Sequence, residues 1–160
     1  HKNLKMLIDV NKILMKEYDL RCNFIFTLTE SEMEKNNFNE ISNFFSTGSI
    51  TVNQCPSFYE LIDALIFPSL LECFSVTPLE AMIMKKQVIA SDRKFIRDVC
   101  QDNALYFDPL NPSNIADVIY NFFLDINDNS LKIEKAYSHA IRFSSANERA
   151  QKYIEIINKT

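Results

Sequence analysis

Two carboxylates, Glu72 and Glu80, are separated by seven residues in the stretch LIFPSLLECFSVTPLEAMIMKKQVIASD, residues 65–92. They are the residues of this chain best placed to do chemistry. A carboxylate in the first turn of a helix can accept hydrogen bonds from a vicinal diol such as a ribose. A carboxylate in the preceding loop can reach sugar hydroxyls, each charge-assisted bond being worth roughly 1.5–3 kcal/mol. Between them Phe74, Ser75, Val76 and Thr77 lead into a helix. With Thr77 as N-cap and Pro78 at the first helical position, the free N–H groups and helix dipole favour an anion such as a diphosphate. A plainer reading stands beside this one. T-x-x-E is also the signature of a capping box, which Glu80 would close without binding anything. A single loop glutamate such as Glu72 is most often merely solvated.

The surrounding elements must position these groups. An amphipathic helix is expected over 3–18, with Leu4, Leu7, Ile8, Leu14, Met15 and Tyr18 on one stripe. Strands are expected at 22–28, 48–52, 64–67, 87–90 and 104–107. Short helices are expected near 38–45, 57–63, 77–84 and 93–99, with 31–37 as loop or a ragged helix start. Three helices close the chain, near 112–124, 130–142 and 145–158, the last opening on a Ser145–Glu148 capping box. Short apolar strands alternating with helices predict one α/β domain. It is a Rossmann-like parallel sheet covered on both faces and ending in several helices. Such sheets bind ligands beyond the carboxyl ends of their strands, where the loop after Phe67 falls.

The bulk numbers narrow the function. The 160 residues suit a single domain, and 47% hydrophobic residues supply a core. A net charge of −4, with only His1, Lys2 and Lys5 clustered as basic residues, argues against a nucleic-acid partner. No apolar run approaches the ~20 residues of a membrane span, and no signal peptide is visible. Cys22, Cys55, Cys73 and Cys100 lack CxxC spacing and read as reduced thiols of a cytoplasmic protein. No metal cluster and no Ser/His/Asp constellation emerges. Gly48 is the sole glycine, and the backbone of Ser49 and Ile50 after it is a candidate contact for a nucleobase.

A longer pattern runs through the chain. Phe67-Pro68-Ser69, Glu72, Phe74, Leu79-Glu80-Ala81-Met82 and Val88-Ile89-Ala90-Ser91-Asp92 follow in order. Phe58-Tyr59 and Asp63-Ala64 precede them, and Ala104–Pro109 and Ile115-Ala116 come after. Lys2 opens the first helix. This pattern resembles the donor-binding C-terminal domain of retaining, two-domain GT-B glycosyltransferases with an E-x7-E signature, the group 1 or family 4 enzymes. The resemblance implies a domain that holds a nucleotide-sugar donor and passes the sugar to a saccharide or glycolipid acceptor hydroxyl. It implies that Glu72 contacts the donor sugar, Glu80 the ribose, and Lys2 with the Phe74–Thr77 backbone the diphosphate. It implies Glu72 and Lys2 as catalytic groups, with no metal or cofactor. It implies a preceding strand and an N-terminal acceptor domain upstream of His1, and therefore an inactive domain in isolation. A cytoplasmic place is expected, with peripheral contact at the inner membrane face through that other domain.

The chain departs from the pattern at several positions. Cys73 and Ser75 replace loop glycines, and Lys85-Lys86-Gln87 stand where Gly-x-Pro is usual. A nucleotide-sugar epimerase of the same architecture, or a binding domain that has lost catalysis, are the alternatives.

Overall fold

Five short strands, all parallel, alternate with helices in a computed structural model that describes residues 1–125, 130–144 and 146–158. The order is α1 (Met6–Glu17), β1 (Phe24–Phe26), α2 (Glu30–Lys35), β2 (Phe44–Ser46), α3 (Cys55–Glu60), β3 (Ala64–Phe67), α4 (Thr77–Ile83), β4 (Gln87–Ser91), α5 (Lys94–Cys100), β5 (Leu105–Phe107), α6 (Pro112–Leu124), α7 (Ser130–Ala140) and α8 (Ala146–Ile157). β1 pairs with β2, and β3, β4 and β5 pair in that order. The expected α/β class with parallel strands and helices on both faces is the one observed.

β4 is central to its sheet and buried at every residue. Its run Val88-Ile89-Ala90 is apolar throughout because a parallel strand is covered on both faces. Side-chain alternation splits the run between two cores. Ile89 joins Phe24, Phe26, Phe44 and Phe107 beneath α1 and α6. Val88 and Ala90 join Tyr59, Leu79, Met82 and Ile96 beneath α3, α4 and α5. In α1 the stripe Leu7, Val10 and Leu14 is buried, which for each large side chain contributes about 1.5–3 kcal/mol. Met15, expected on that stripe, is 47% exposed instead. A buried polar pair ties α1 to the first two strands: Asn11 and Asn43 exchange amide hydrogen bonds, and Asn43 Nδ2 also donates to the Cys22 carbonyl at 2.6 Å.

The first fifty residues depart most from expectation. Residues 30–35 form α2, with Thr29 and Glu32 making a full capping box. The helix expected near 38–45 is absent. Single turns there (Ile41 N–H to Phe38 carbonyl, Phe44 N–H to Ile41 carbonyl) lead into β2. Phe38, fully buried, stacks on Phe26 at 4.8 Å and meets Phe44 edge-on at 5.1 Å. In place of that helix, a loop residue and a strand share one aromatic core. Residues 48–51 are an irregular connection with a bend at Ser49, and a 3₁₀ turn follows at Val52–Gln54 where a strand was expected. The capping role expected of Ser145 lies outside the described residues.

The Gly-x-Pro departure also has a local explanation. α4 ends in a Schellman motif, with Lys85 N–H on the Met82 carbonyl and Lys86 N–H on the Ala81 carbonyl. That geometry puts Lys85 at φ 55, the left-handed region that favours glycine. Lys85 offsets part of the strain with its side chain, which binds Glu134 at 2.6 Å and lies over the Tyr137 ring of α7.

Candidate functional site

Four hydrogen bonds organise the carboxyl edge of β3, β4 and β5, and two of them tie the chain's first residues to it. The Leu70 N–H donates to the His1 carbonyl at 2.8 Å. Asn3, at φ 54, donates its side-chain amide to the Pro109 carbonyl at 2.8 Å. The Ser91 hydroxyl donates to the Ser69 carbonyl at 2.6 Å, and the Asp92 N–H to the Phe107 carbonyl at 2.7 Å. Residues 1–3, the loop 68–76 and the ends of β4 and β5 thus share one edge, where open parallel sheets hold ligands.

Glu72 is anchored from within its own loop. The Ser69 hydroxyl donates to Glu72 Oε1 at 3.0 Å. Ser69 is buried, as is Ser91, which grips its carbonyl from the end of β4. Burial makes both hydroxyls expensive to leave unpaired, so the two bonds fix the loop. Glu72 itself is half-buried, and Oε2 keeps its lone pairs for another donor.

Glu80 is held differently, and the capping-box reading of it fails. Val76, already helical at φ −83 and ψ −21, is the N-cap of α4, and Thr77 makes no capping bond. The Glu80 carboxylate turns instead to α3, where the Tyr59 hydroxyl lies 3.2 Å from Oε2 and 3.2 Å from the Thr77 carbonyl. Tyr59 is buried against α4. Burial, then the Glu80 charge, pushes its phenol above the ordinary tyrosine value, so it remains a donor through the neutral range. Glu80 is half-buried, and its second oxygen has no protein donor among the described residues.

The remaining residues singled out by sequence fall on or beside this edge. Lys2 is exposed, and its ammonium makes no hydrogen bond or ion pair among the described residues. Its charge contributes, after the N–H and hydroxyl of Thr29, to holding the Glu32 carboxyl below its usual range. Phe74 and Val76 are exposed, while Ser75 and Thr77 are half-buried. Neither Cys73 nor Ser75 has positive φ, so the loop follows a path that residues with a Cβ adopt without strain. No hydrogen bond or ion pair joins Lys2, Glu72 and Glu80 to one another. Gly48, at φ 68 with open space around it, follows β2. Its N–H bonds the Ser46 hydroxyl at 2.9 Å, leaving Ser49 exposed and Ile50 half-buried.

A second polar group on the same sheet edge is already committed. Arg97 pairs with Asp92 and stacks over the Tyr106 ring at 4.1 Å. Its hydrogen bond holds the Asp92 carboxyl below the ordinary range. Among the described residues no group of three His, Cys, Asp or Glu side chains could hold a metal ion. No described helix is long and apolar enough to cross a membrane.

Sequence reasoning did not assign a role to Tyr59, Ser69 or Ser91. Each stood inside the quoted pattern, but only the fold shows that their hydroxyls aim at the two glutamates or at the loop that carries one.

Over residues 1–139 the sequence matches the glycosyl transferases group 1 family. The chain belongs to that family. Among curated proteins it is 26% identical over 114 residues to the O-antigen chain mannosyltransferase RfbU of Salmonella typhimurium, covering 68% of this chain and 31% of RfbU. The chain therefore spans about a third of that relative's length. Its fold matches a point mutant of S. aureus TarM, solved in complex with fondaparinux, alpha-GlcNAc-glycerol and UDP, at a TM-score of 0.80 and 22% identity. That match covers 98% of this chain and 33% of TarM. It also matches the C-terminal domain of the group 1 family protein LpcC of Francisella tularensis at a TM-score of 0.67 and 20% identity, covering 88% of this chain and 78% of that domain. The architecture is that of the C-terminal domain of GT-B glycosyltransferases.

Proposed function

We propose that this domain is the donor half of a retaining glycosyltransferase, which moves a hexose from a nucleoside diphosphate sugar to a hydroxyl of a saccharide or glycolipid. The observation that carries this reading is the pair Glu72 and Glu80. Both are half-buried at the start of or just before α4, each held through one oxygen by a buried hydroxyl, with the other oxygen open. A solvated carboxylate needs no such support. Holding a side chain before the ligand arrives lowers the entropy lost on binding.

In this reading Glu80 accepts from the ribose diol and Glu72 from the donor sugar's hydroxyls. Lys2 and the backbone N–H groups of 74–77 balance the diphosphate charge without a metal. During transfer the bond from C1 to the diphosphate oxygen breaks, and the nucleoside diphosphate leaves with the electron pair. The acceptor oxygen bonds to C1 and gives up its proton to the leaving group or solvent. Lys2 is placed to stabilise charge growing on the leaving group, the electrostatic task that dominates such steps. The acceptor would be held by an N-terminal domain, which also makes any contact with a membrane surface at the cytoplasmic face. Polysaccharide synthesis is the process this chemistry suits, and the likeness to an O-antigen chain mannosyltransferase supports that reading.

The test is twofold. Residues 1–160 titrated with UDP, GDP and ADP by calorimetry are expected to bind one of them weakly, while showing no sugar transfer. The full-length protein is expected to transfer sugar with retention at C1. Absence of binding to all three would favour a domain that has lost donor recognition. Robust turnover by residues 1–160 alone would contradict the two-domain reading.

A further inference from the structure

A cavity of about 360 Å³ opens on the carboxyl edge beyond β4 and β5. Asp92, Arg93, Tyr106, Phe107, Asp108 and Asn114 line it, and neither Lys2 nor the two glutamates take part. β4 is the middle strand of its sheet, with β5 on one side and β3, which leads into the Glu72 loop, on the other. Neighbouring strands lie about 4.8 Å apart, so the cavity stands one to two strand spacings, roughly 5–10 Å, from the end of β3.

Backbone hydrogen bonds fix its walls. The Arg93 N–H donates to the Ser91 carbonyl at 2.9 Å, and the Asp92 N–H donates to the Phe107 carbonyl. Asn114 Oδ1 accepts from the Asp108 N–H at 2.8 Å, and Asp108 Oδ1 accepts from the Leu110 N–H at 3.0 Å. The Asn3 side chain pins the same loop through the Pro109 carbonyl. What these bonds leave over is complementary. Arg93 is half-buried, and its guanidinium makes one hydrogen bond, from Nη1 to the Asp92 carbonyl at 3.2 Å. Among the described residues Asn114 Nδ2 has no acceptor and Asp108 Oδ2 has no donor. Arg93 and Asp108 line one cavity, yet they form no ion pair with each other.

These leftover groups select a ligand. Arginine only donates hydrogen bonds, and a carboxylate only accepts them. A hydroxyl can accept from the first and donate to the second. A phosphate would suit Arg93 but be repelled by Asp108, and an ammonium would meet the reverse. Asp92 adds no net charge, because Arg97 neutralises it. With both pairs of charges cancelled, an uncharged polyol satisfies both walls. The half-buried Tyr106 ring adds apolar surface for the C–H groups of such a ligand.

We propose that this cavity is a subsite for one uncharged hexose unit of the acceptor saccharide. Arg93 and Asn114 donate to its hydroxyls, and Asp108 accepts from them. The proposal rests on the glycosyltransferase reading above and extends it. The acceptor carries more than one sugar unit, and this domain shares in holding it. The spacing from the end of β3 leaves room for the unit that receives the sugar between the cavity and the Glu72 loop. Arg93 and Asp108 together set specificity, since each rejects the charge that the other would welcome.

Saturation-transfer NMR on the full-length protein tests it, with methyl mannoside and methyl glucoside as neutral probes and glucuronate, glucosamine and inorganic phosphate as charged ones. The wild-type protein is expected to bind a neutral glycoside in preference to all three charged probes. Arg93→Gln and Asp108→Asn should each weaken glycoside binding about fivefold, with nucleoside diphosphate affinity held within about twofold. Asparagine keeps an acceptor for the Leu110 N–H, so the loop stays in place. No binding of either glycoside by the wild-type protein, or equal binding by both variants, would overturn the proposal. A preference for glucuronate or phosphate would overturn it as well, since the cavity would then be an anion site. Glycoside binding that both variants weaken, in a protein that binds no nucleoside diphosphate, would uphold the saccharide site and contradict the donor reading instead.

Discussion

Glu72 and Glu80 are eight positions apart, but the fold secures them by opposite means. Glu80 rides on a helix, and its carboxylate is set by a residue twenty-one positions earlier, Tyr59 on α3. Glu72 lies in a loop and is set by a residue three positions earlier, Ser69. The helix-borne group therefore depends on how α3 packs against α4. The loop-borne group depends on a chain of two hydroxyls, Ser91 to Ser69 to Glu72, that begins on the central strand. A group held across two helices suits a part of the ligand that stays put, such as a ribose. A group held within a loop suits, in the proposed reaction, the part of the donor where charge would change.

The largest effect should come from Glu72→Ala in the full-length enzyme. In the proposed transfer, positive charge would develop on the sugar ring as the leaving group departs, so the carboxylate's interaction would strengthen in the transition state. A loss of about 100-fold in kcat, or ~2.7 kcal/mol, is expected with little change in melting temperature. Affinity for the bare nucleoside diphosphate should be unchanged because it lacks the sugar. Wild-type kinetics would show that Glu72 is only a solvated loop residue.

Glu80 should behave as the counterpart. Glu80→Ala is expected to weaken nucleoside diphosphate binding about tenfold, ~1.4 kcal/mol. Glu80→Gln should lose less, since its carbonyl keeps acceptor sites for a ribose hydroxyl and for Tyr59. Calorimetric titration of both variants beside their melting curves decides the matter. Lower stability with unaltered affinity in both would reduce Glu80 to a packing residue between α3 and α4.

The contrast also explains what could be read without the fold. The segment from β3 to β5 was legible because local signals agree there: apolar runs of strand length, prolines at element ends, and a capped helix of regular period. Even so, Thr77 was misplaced as the cap, because only the backbone at Val76 reveals where α4 begins. The first fifty residues were less legible. Phe38, Phe44 and Phe26 make one aromatic core from a loop and two strands, a clustering made by tertiary packing that no local pattern announces. The positions of both glutamates could be read from spacing. Their supports could not, because Tyr59 reaches Glu80 only through tertiary packing, which no local pattern encodes.

Ser69→Ala sharpens the comparison from the loop side. It removes the donor to Glu72 Oε1 but keeps the carbonyl that Ser91 grips. Glu72 would remain present but less constrained, so kcat should fall about fivefold, ~1 kcal/mol. Nucleoside diphosphate affinity should stay within about twofold. An equal loss in both would mean that the loop as a whole had shifted, and that Ser69 supports the backbone rather than the carboxylate.

The smallest effect is expected from Tyr59→Phe, the helix-side counterpart. The phenol has one hydrogen and two acceptors at equal distance, Glu80 Oε2 and the Thr77 carbonyl. The carboxylate is the stronger acceptor, so the proton should favour Glu80. Phenylalanine keeps the packing and leaves the first turn of α4 in place. Glu80 retains both oxygens for a ribose and loses only its fixed orientation. Affinity for the nucleoside diphosphate should drop about threefold, ~0.7 kcal/mol, with a KM increase for donor and little change in kcat. Tyr59 also sets a sign for pH. Its folded value is raised, so its contribution to stability is complete below the unfolded tyrosine value and is lost as pH rises through the folded one. Between about pH 6 and 9 the phenol is therefore a constant donor, and the ratio of mutant to wild-type Kd should be flat. A ratio that changes across that window would mean the hydroxyl does not act on Glu80 as a neutral donor. An unchanged Kd with a lowered melting temperature would assign Tyr59 to packing alone, and Glu80 would then be oriented by its helix and not by α3.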